Sequence, residues 1–535
     1  MLRKANFIAI IFFLSATLIL SMTSCKRSGD ASIGGDKTAE GVPIIEYLLP
    51  GDPGKYMSED LWSIQEWGKR TGVQFKINSP PRDAFQDKLA IIISSGDLPD
   101  MINFYQDNST YKDYGPQLFV PLNDYLNNGQ LPELKRWLDK YPDIELYMEN
   151  PDDNKLYGFP FVSDFEYISR AWYVRNDLLR KAGLDADNIE TLDDVKAAML
   201  ALQKAKGGGF ITSSRLGYNY FAGVTGAYFG AHNGVMYDQK HPNGNKEFVY
   251  GALKPEYKKW VEFMRWMYVN KLLHSNFATM SQQELFAGYA DGSFPLMIEQ
   301  HGLHDKLNPE HDSNREIKYI YPPKIDGIQF RQTKSYHVNI GYRWPVVINQ
   351  KSKHIDDIVR AMNFVYSDEG IEMFSLGAEG LTFERDDKTP SGYRLDYVQS
   401  VWTRKEDGTF PEGMKMLEDY GCNSWWLMGV SNESDRFGFK EYKEGENEEA
   451  LFIPNIINSN IELGLVVETD PFINFNKEEK DTIAEISTPL GTYESENVLK
   501  FIYGQRPMSE WDDFINGLKK LKCEELAKIY NDKLK

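Results

Sequence analysis

The sequence predicts an α/β protein built as two lobes, and three observations carry that expectation. First, residues 44–104 alternate strand and helix patterns: Ile44-Ile-Glu-Tyr-Leu-Leu49, a helix face of Leu61, Ile64 and Gly68, the alternating Val73, Phe75 and Ile77, a helix over Ala84 to Ile93, and the apolar run Met101-Ile-Asn-Phe104. A β-α-β-α-β series demands a parallel sheet, because parallel strands need a crossover and the helices supply it. Second, 535 residues exceed what one hydrophobic core organises. Third, a later strand, Asp291-Gly-Ser-Phe-Pro-Leu-Met-Ile298, ends like the early one on a polar cluster, here Glu299, Gln300 and His301.

Composition narrows the function. Hydrophobic residues make up 41% and charged residues 26% of the chain, as in an ordinary soluble globular protein. A formal net charge of −19 argues against binding nucleic acid or an anionic membrane through a charged face. The 11 Trp, 31 Tyr and 30 Phe fill cores, and they also suit a site that stacks flat apolar faces, such as those of sugars.

Arg3 and Lys4 precede an apolar run, Phe7 to Leu20, that is short for a membrane span and is followed by Ser21-Met-Thr-Ser-Cys25. A basic start, a short apolar run and small residues make a secretory signal peptide over residues 1–24. A Cys directly after small residues resembles the bacterial lipobox, in which that Cys is lipidated and becomes the mature N-terminus. Met22 departs from the usual Leu three positions before it. Residues 25–40 are then the lipidated Cys25 and a flexible, Gly- and Ser-rich tether. The alternative is cleavage to a free secreted protein. Cys422 and Cys523 remain, and the sequence leaves open whether they meet. With no C-x-x-C pair, no structural zinc site is expected.

Taken in order, Ser58 is a candidate cap for the first helix, with Glu59 and Asp60 favourable near its positive end. Gly96-Asp-Leu-Pro-Asp100 is a turn, and Tyr105, Gln106 and Asp107 follow the third strand. Ligands of open α/β sheets bind beyond the carboxyl ends of strands, which is where these groups fall. Residues 115–126 read as a loop into a short helix and 141–154 as loop. Ile168 to Val174 is a strand, and Asn176 to Gly183 a short helix stopped by its glycine. Thr191-Leu-Asp-Asp194 is a capping box with Asp in place of Glu, continued by Val195, Ala198, Met199 and Leu202 on one face. Gly226-Ala-Tyr-Phe-Gly230 is a segment that brings backbone close to a ligand, with Tyr228 as its candidate contact. Pro255 to Leu273 is a strong helix and Ser281 to Ala290 a weaker one. Gly341 to Ile348 is a further strand, and Ile355, Ile358, Val359, Met362 and Val365 make the best amphipathic helix. The last third mixes helix signals with long loops. Adjacent Trp425 and Trp426 face different ways, so one of them is a candidate for an exposed position in a cleft. Ser509-Glu-Trp-Asp512 caps a terminal helix.

These features together resemble the extracellular solute-binding proteins of ABC importers, specifically the large family 1 sugar binders of Gram-positive bacteria. The carriers are the lipobox ending at Cys25, Gly96 to Asp100, Asp153-Asn-Lys-Leu-Tyr-Gly-Phe-Pro160, Trp172 to Leu179 with Ala182-Gly-Leu184, Thr191 to Asp194, Ser367-Asp-Glu-Gly370 with Gly377-Ala-Glu-Gly380, and Gly504 to Asp513. The resemblance implies a periplasmic-binding-protein-like type II fold: two α/β lobes joined by hinge strands, with ligand in the cleft between them. It implies crossings near 154–160 and 337–344. Lobe I is then 41–155 plus about 340–375, lobe II about 156–339, and about 376–535 a segment shared by both. The implied ligand contacts are Phe104, Tyr105 and Asp107 from lobe I, Tyr228, Glu299 and His301 from lobe II, and Trp344, Trp425 and Trp426 as stacking candidates. Some longer members carry a calcium loop in lobe II. Asp185-Ala-Asp187-Asn188-Ile-Glu190 has the acidic spacing only in part and lacks the central glycine, so no metal is expected there.

The expected function is therefore that of a lipid-anchored receptor on the outer face of the cell membrane. It captures an oligosaccharide by hinge closure and hands it to an ABC permease, as a monomer without a cofactor, catalytic residues or nucleic-acid binding. Two alternatives differ in class. A secreted polysaccharide-degrading enzyme needs a carboxylate pair set by spatial rather than local spacing, and no G-x-S-x-G, H-E-x-x-H or phosphate-binding glycine loop is present. His301 and His304 have chelating spacing, but a polar surface turn is the favoured explanation. A glycan-binding surface lipoprotein without a transporter would share the same fold and cleft.

Overall fold

The computed structural model describes residues 37–51, 57–105, 110–163, 170–215, 217–310, 312–334, 345–380, 384–385, 393–394, 420–422, 430–431 and 452–534. The strands that carry the architecture are β1 (Ile44–Leu48), β2 (Gln74–Asn78), β3 (Met101–Asn103), β4 (Arg170–Arg175), β5 (Leu296–Gln300), β6 (Ile317–Ile320) and β7 (Val346–Ile348). Packed on them are α1 (Trp62–Thr71), α2 (Arg82–Ser95), α3 (Leu192–Ala205), α4 (Gly217–Gly226), α5 (Pro255–Val269), α6 (Ile355–Val365), α7 (Lys477–Tyr503), α8 (Trp511–Lys520) and α9 (Cys523–Lys533).

The first sheet has the order β7-β3-β1-β2. Strand β1 runs parallel to β2 and β3, as the intervening helices require, and β7 returns antiparallel with Val347 opposite Ile102. Trp67 of α1 stacks on Phe75 at 4.0 Å, and its indole N–H donates to the Ala361 carbonyl of α6 at 2.9 Å. Ile358, Val359, Met362 and Val365 are buried along one side of α6, the face its periodicity announces.

The second sheet is β5-β4-β6, antiparallel throughout. Trp172 of β4 lies between Tyr228 at 4.7 Å and Phe263 of α5 at 6.2 Å. Both bonds of the Thr191–Asp194 capping box form at the start of α3. The C-terminal helices return to this core, contributing Leu490, Val498, Phe501, Phe514, Leu518 and Leu526.

The two lobes meet where the chain leaves the first and re-enters it. The Phe159 N–H donates to the Val346 carbonyl at 2.8 Å, and the Val346 N–H donates back at 3.1 Å. Beside this pair, a Cβ on Gly158 would lie 2.9 Å from the Pro345 Cβ and 3.2 Å from the Tyr111 ring, so the crossings approach more closely than any side chain permits. A third link runs through residues 468–480. Gln239 of the second lobe donates to the Glu468 carbonyl and to Asp470, whereas Phe472 stacks on Tyr147 of the first lobe at 3.9 Å and Asn474 donates to the Glu149 carbonyl at 2.8 Å.

Several local expectations are corrected. The Ser58 carbonyl accepts from the Leu61 N–H, and Leu61, not Ser58, is the N-cap residue of α1, which has no side-chain cap. Residues 115–118, read as loop, end a helix over Thr110–Leu118 that contains Pro116. The Lys112 carbonyl that the proline leaves without its helical N–H accepts from the Asn150 side chain at 2.9 Å instead. The Gly- and Tyr-rich stretch 217–226 is helical because its neighbours bury it. The terminal helix starts after a single 3₁₀ turn, Met508–Glu510, rather than on a Ser509 cap. Cys422 lies against the Met373 carbonyl of the first lobe and Cys523 inside the second core, and both are free thiols.

Candidate ligand-binding site

At the end of β3 the chain turns sharply, with the Tyr105 N–H donating to the Asn103 carbonyl at 3.0 Å. Phe104 faces inward against Phe119 at 5.5 Å and Tyr111 at 6.1 Å, with no exposed surface. Tyr105 is 5% exposed, edge-on to Phe85, while its carbonyl accepts from Gln86. Every residue of β3 is buried, so both faces of the sheet are covered here and the two aromatics that follow it stay in the core.

In the second lobe the carboxyl end of β5 and the start of the central strand β4 lie side by side at one end of the sheet, with Arg170 opposite Gln300. Glu299 is fully buried and held on both oxygens. Arg215 donates through Nε at 2.9 Å and Nη2 at 3.2 Å, and the Tyr220 hydroxyl donates at 2.5 Å. Burial and the Glu299 carboxylate raise the Tyr220 pKa, so its hydroxyl stays a donor. The guanidinium groups of Arg170 and Arg215 both lie over the Tyr220 ring, at 5.2 and 5.3 Å. Lys240, 6% exposed, is within electrostatic reach of Arg170. Burial lowers its pKa, Asp470 works against that shift, and Arg170 and Lys254 add to it. His232 is pushed down to about 4 by burial and by Lys240. Arg215 and the Tyr220 hydroxyl are thus spent on Glu299, and Arg170 is the guanidinium here that the described residues leave without a carboxylate.

Four of the expected contact residues have other work. Phe104 and Tyr228 are core side chains, the latter stacked on Trp172 with its hydroxyl 3.3 Å from that of Tyr319. His301 is buried with Nδ1 2.6 Å from the Tyr173 hydroxyl, and burial takes it down to about 3, so it is a neutral packing group. The Nδ1 of His304 lies 3.1 Å from the His301 carbonyl, so the two rings do not form a chelate. Glu299 faces Arg215 rather than an open surface. Asp107, Trp344, Trp425, Trp426 and Cys25 lie outside the described residues. Sequence reasoning missed Arg170, Arg215, Tyr220 and Lys240. One signal was available: Arg170 is a charged residue at the mouth of an apolar strand, opposite the polar cluster already singled out.

The model of the family described as bacterial extracellular solute-binding protein matches residues 56–372. The chain belongs to that family. It is 21% identical over 510 residues to the fructooligosaccharide ABC transporter substrate-binding protein FusA of Streptococcus pneumoniae, covering 90% of this chain and 87% of the relative. Lipoprotein LipO of Bacillus subtilis is 20% identical over 392 residues, 70% of this chain and 73% of its own. Among solved structures, FusA in complex with kestose superposes with a TM-score of 0.69 at 19% identity, covering 91% of this chain and 98% of that one. The alginate-binding protein AlgQ2, solved without calcium ion, does so with 0.69 at 16% identity, covering 92% and 97%. At these identities the superpositions establish the fold: two α/β lobes of the type II binding-protein kind.

The residues of the 185–190 loop do not fit a calcium ion. Asp185 caps a short turn and accepts from Arg180 Nε at 2.8 Å, which with the backbone bond from Asp187 brings its pKa down to about 2. Asp187 is bound by Lys318, and Glu190 lies 3.9 Å from Lys324. Three side-chain cations draw these carboxylates apart, whereas calcium needs them to converge. Among the described residues no group of three or more His, Cys, Asp or Glu side chains is gathered to hold a metal.

Proposed function

We propose that this chain is the substrate-binding lipoprotein of an ABC importer, capturing an oligosaccharide between its lobes and presenting the closed form to a membrane permease. What carries the reading is the family match over 56–372, laid on two lobes joined at the Phe159–Val346 crossing. Relatives named for fructooligosaccharide and for alginate binding support a glycan as the ligand class. The lobe II wall is the basic and aromatic edge at Arg170, Arg215 and Tyr220. On the lobe I side the contacts are Tyr105 and Asp107, and Trp344, Trp425 and Trp426 are the stacking residues.

Lobe I corresponds to 41–155 with about 340–375, and lobe II to about 156–339 with the helices after 452. The protein is exported, cleaved before Cys25 and held on the outer face of the membrane by lipid on that residue, a placement LipO supports by its name. Among the described residues no helix is long and apolar enough to cross a membrane. The ligand leaves unchanged, and the receptor acts as a monomer.

Tryptophan fluorescence and thermal shift against a panel of oligosaccharides test the proposal. A saturable response to one glycan class, with that glycan recovered intact, is the expected result. Recovery of fragments would make the protein an enzyme.

A further inference from the structure

We propose that the oligosaccharide this site takes carries carboxylates, as chains of uronic acids do, and that Arg170 is the residue that reads them. The inference rests on the reading of the chain as a glycan receptor and narrows its ligand class.

The argument is one of charge partners at the lobe II edge. The acid there, Glu299, is consumed: Arg215 grips both of its oxygens and Tyr220 donates to it as well. Arg170 has no such partner among the described residues. Its Nη1 is buried and has no hydrogen-bond acceptor among the described residues, and its guanidinium lies over the Tyr220 ring at 5.2 Å. A buried guanidinium donor without an acceptor destabilises a fold unless something else supplies the acceptor. Lys240, 6% exposed, lies within electrostatic reach of Arg170, with Asp470 as its own opposing charge. A guanidinium braced on an aromatic ring offers two parallel N–H donors, the fork that a carboxylate fills with both oxygens. A neutral sugar hydroxyl would occupy one of them and leave the charge uncompensated. In a chain of net charge −19, this edge is a local reversal of sign, and the field it produces acts on ligands at short range.

The test is isothermal titration of the full chain in detergent with uronic acid trisaccharides, the same trisaccharides after reduction of their carboxyl groups, sulfated trisaccharides and neutral ones. The expected result is saturable binding of the uronates, weakened by added salt and by carboxyl reduction, with R170Q losing about tenfold or more in affinity for the uronates alone. Because Arg170 opens a core strand, R170Q and the charge-preserving R170K are checked for unchanged unfolding temperature. Carboxyl reduction probes the same contact on the unaltered protein. Equal binding of reduced and unreduced sugars, with R170Q like the wild type, overturns the inference and leaves the glycan receptor standing. Tighter binding of sulfated than of carboxylated sugars overturns it too. Silence toward every sugar overturns the receptor reading itself.

Discussion

Glu494 is a carboxyl group placed where carboxyl groups are costly. It is 2% exposed on α7, and burial raises its pKa. The Tyr250 and Tyr257 hydroxyls each donate to it at 2.6 Å, and the Tyr218 hydroxyl lies 2.8 Å from that of Tyr257. Truncation would leave these hydroxyls buried without an acceptor, so E494A is expected to cost about 2–4 kcal/mol and E494Q less than half of that, read from urea midpoints at constant slope. Lys112 is a second case. Burial and the nearby Lys480 push it down to about 7, with Asp113 and Glu149 opposing. The unfolded chain therefore keeps this proton to higher pH than the folded one, and stability rises with pH between about 7 and the ordinary lysine value of 10.5. The gain is at most about 2 kcal/mol between pH 7 and 9. K112M should abolish that increment; an unchanged slope in the variant would assign it to other groups. Neither role shows in the sequence, where both residues stand among ordinary helix surface patterns.

At the scale of elements, local pattern and structure agree wherever one face of a helix or strand is buried and the other is not. Helix α6 and the strands of the first sheet are such cases. The reading failed where tertiary contacts replaced local signals. Pro116 is tolerated because Asn150 supplies the missing donor, and α4 is helical despite three glycines because both sides are covered. The crossing is the element on which closure depends. A methyl on Gly158 would strike Pro345 and Tyr111, so G158A is expected to cost about 1–3 kcal/mol and to alter ligand affinity by displacing the paired strands. Thermal unfolding and titration of the same preparation separate the two effects. A variant that unfolds and binds like the wild type would show that the crossings have slack.

For the molecule as a whole, two cores joined by three links among the described residues have freedom to move as bodies, and a ligand that touches both walls shifts that balance by its differential affinity. Small-angle scattering should therefore show the radius of gyration decreasing on addition of a bound oligosaccharide. No change at saturation would mean that the cleft does not close on its ligand. The third link, where Phe472 lies on Tyr147, is sited to set the amplitude of that motion.

Sequence by itself determined the α/β alternation, the parallel strands, the capping box at Thr191, the amphipathic face of α6 and the family, since these rest on periodicities and short motifs carried by neighbouring residues. It singled out the polar clusters that follow Phe104 and Ile298 as the places for a ligand. Which side chains act there was decided only by tertiary structure. Glu299 meets Arg215 across 84 residues, and Phe159 meets Val346 from the far side of a whole lobe. Cover on both faces of each sheet then buried Phe104 and Glu299, while Arg170 stands at the start of β4, where the sheet ends. Contacts between residues so distant in the chain have no local period, and burial, which turns a polar residue into a packing group, is a property of the surrounding fold.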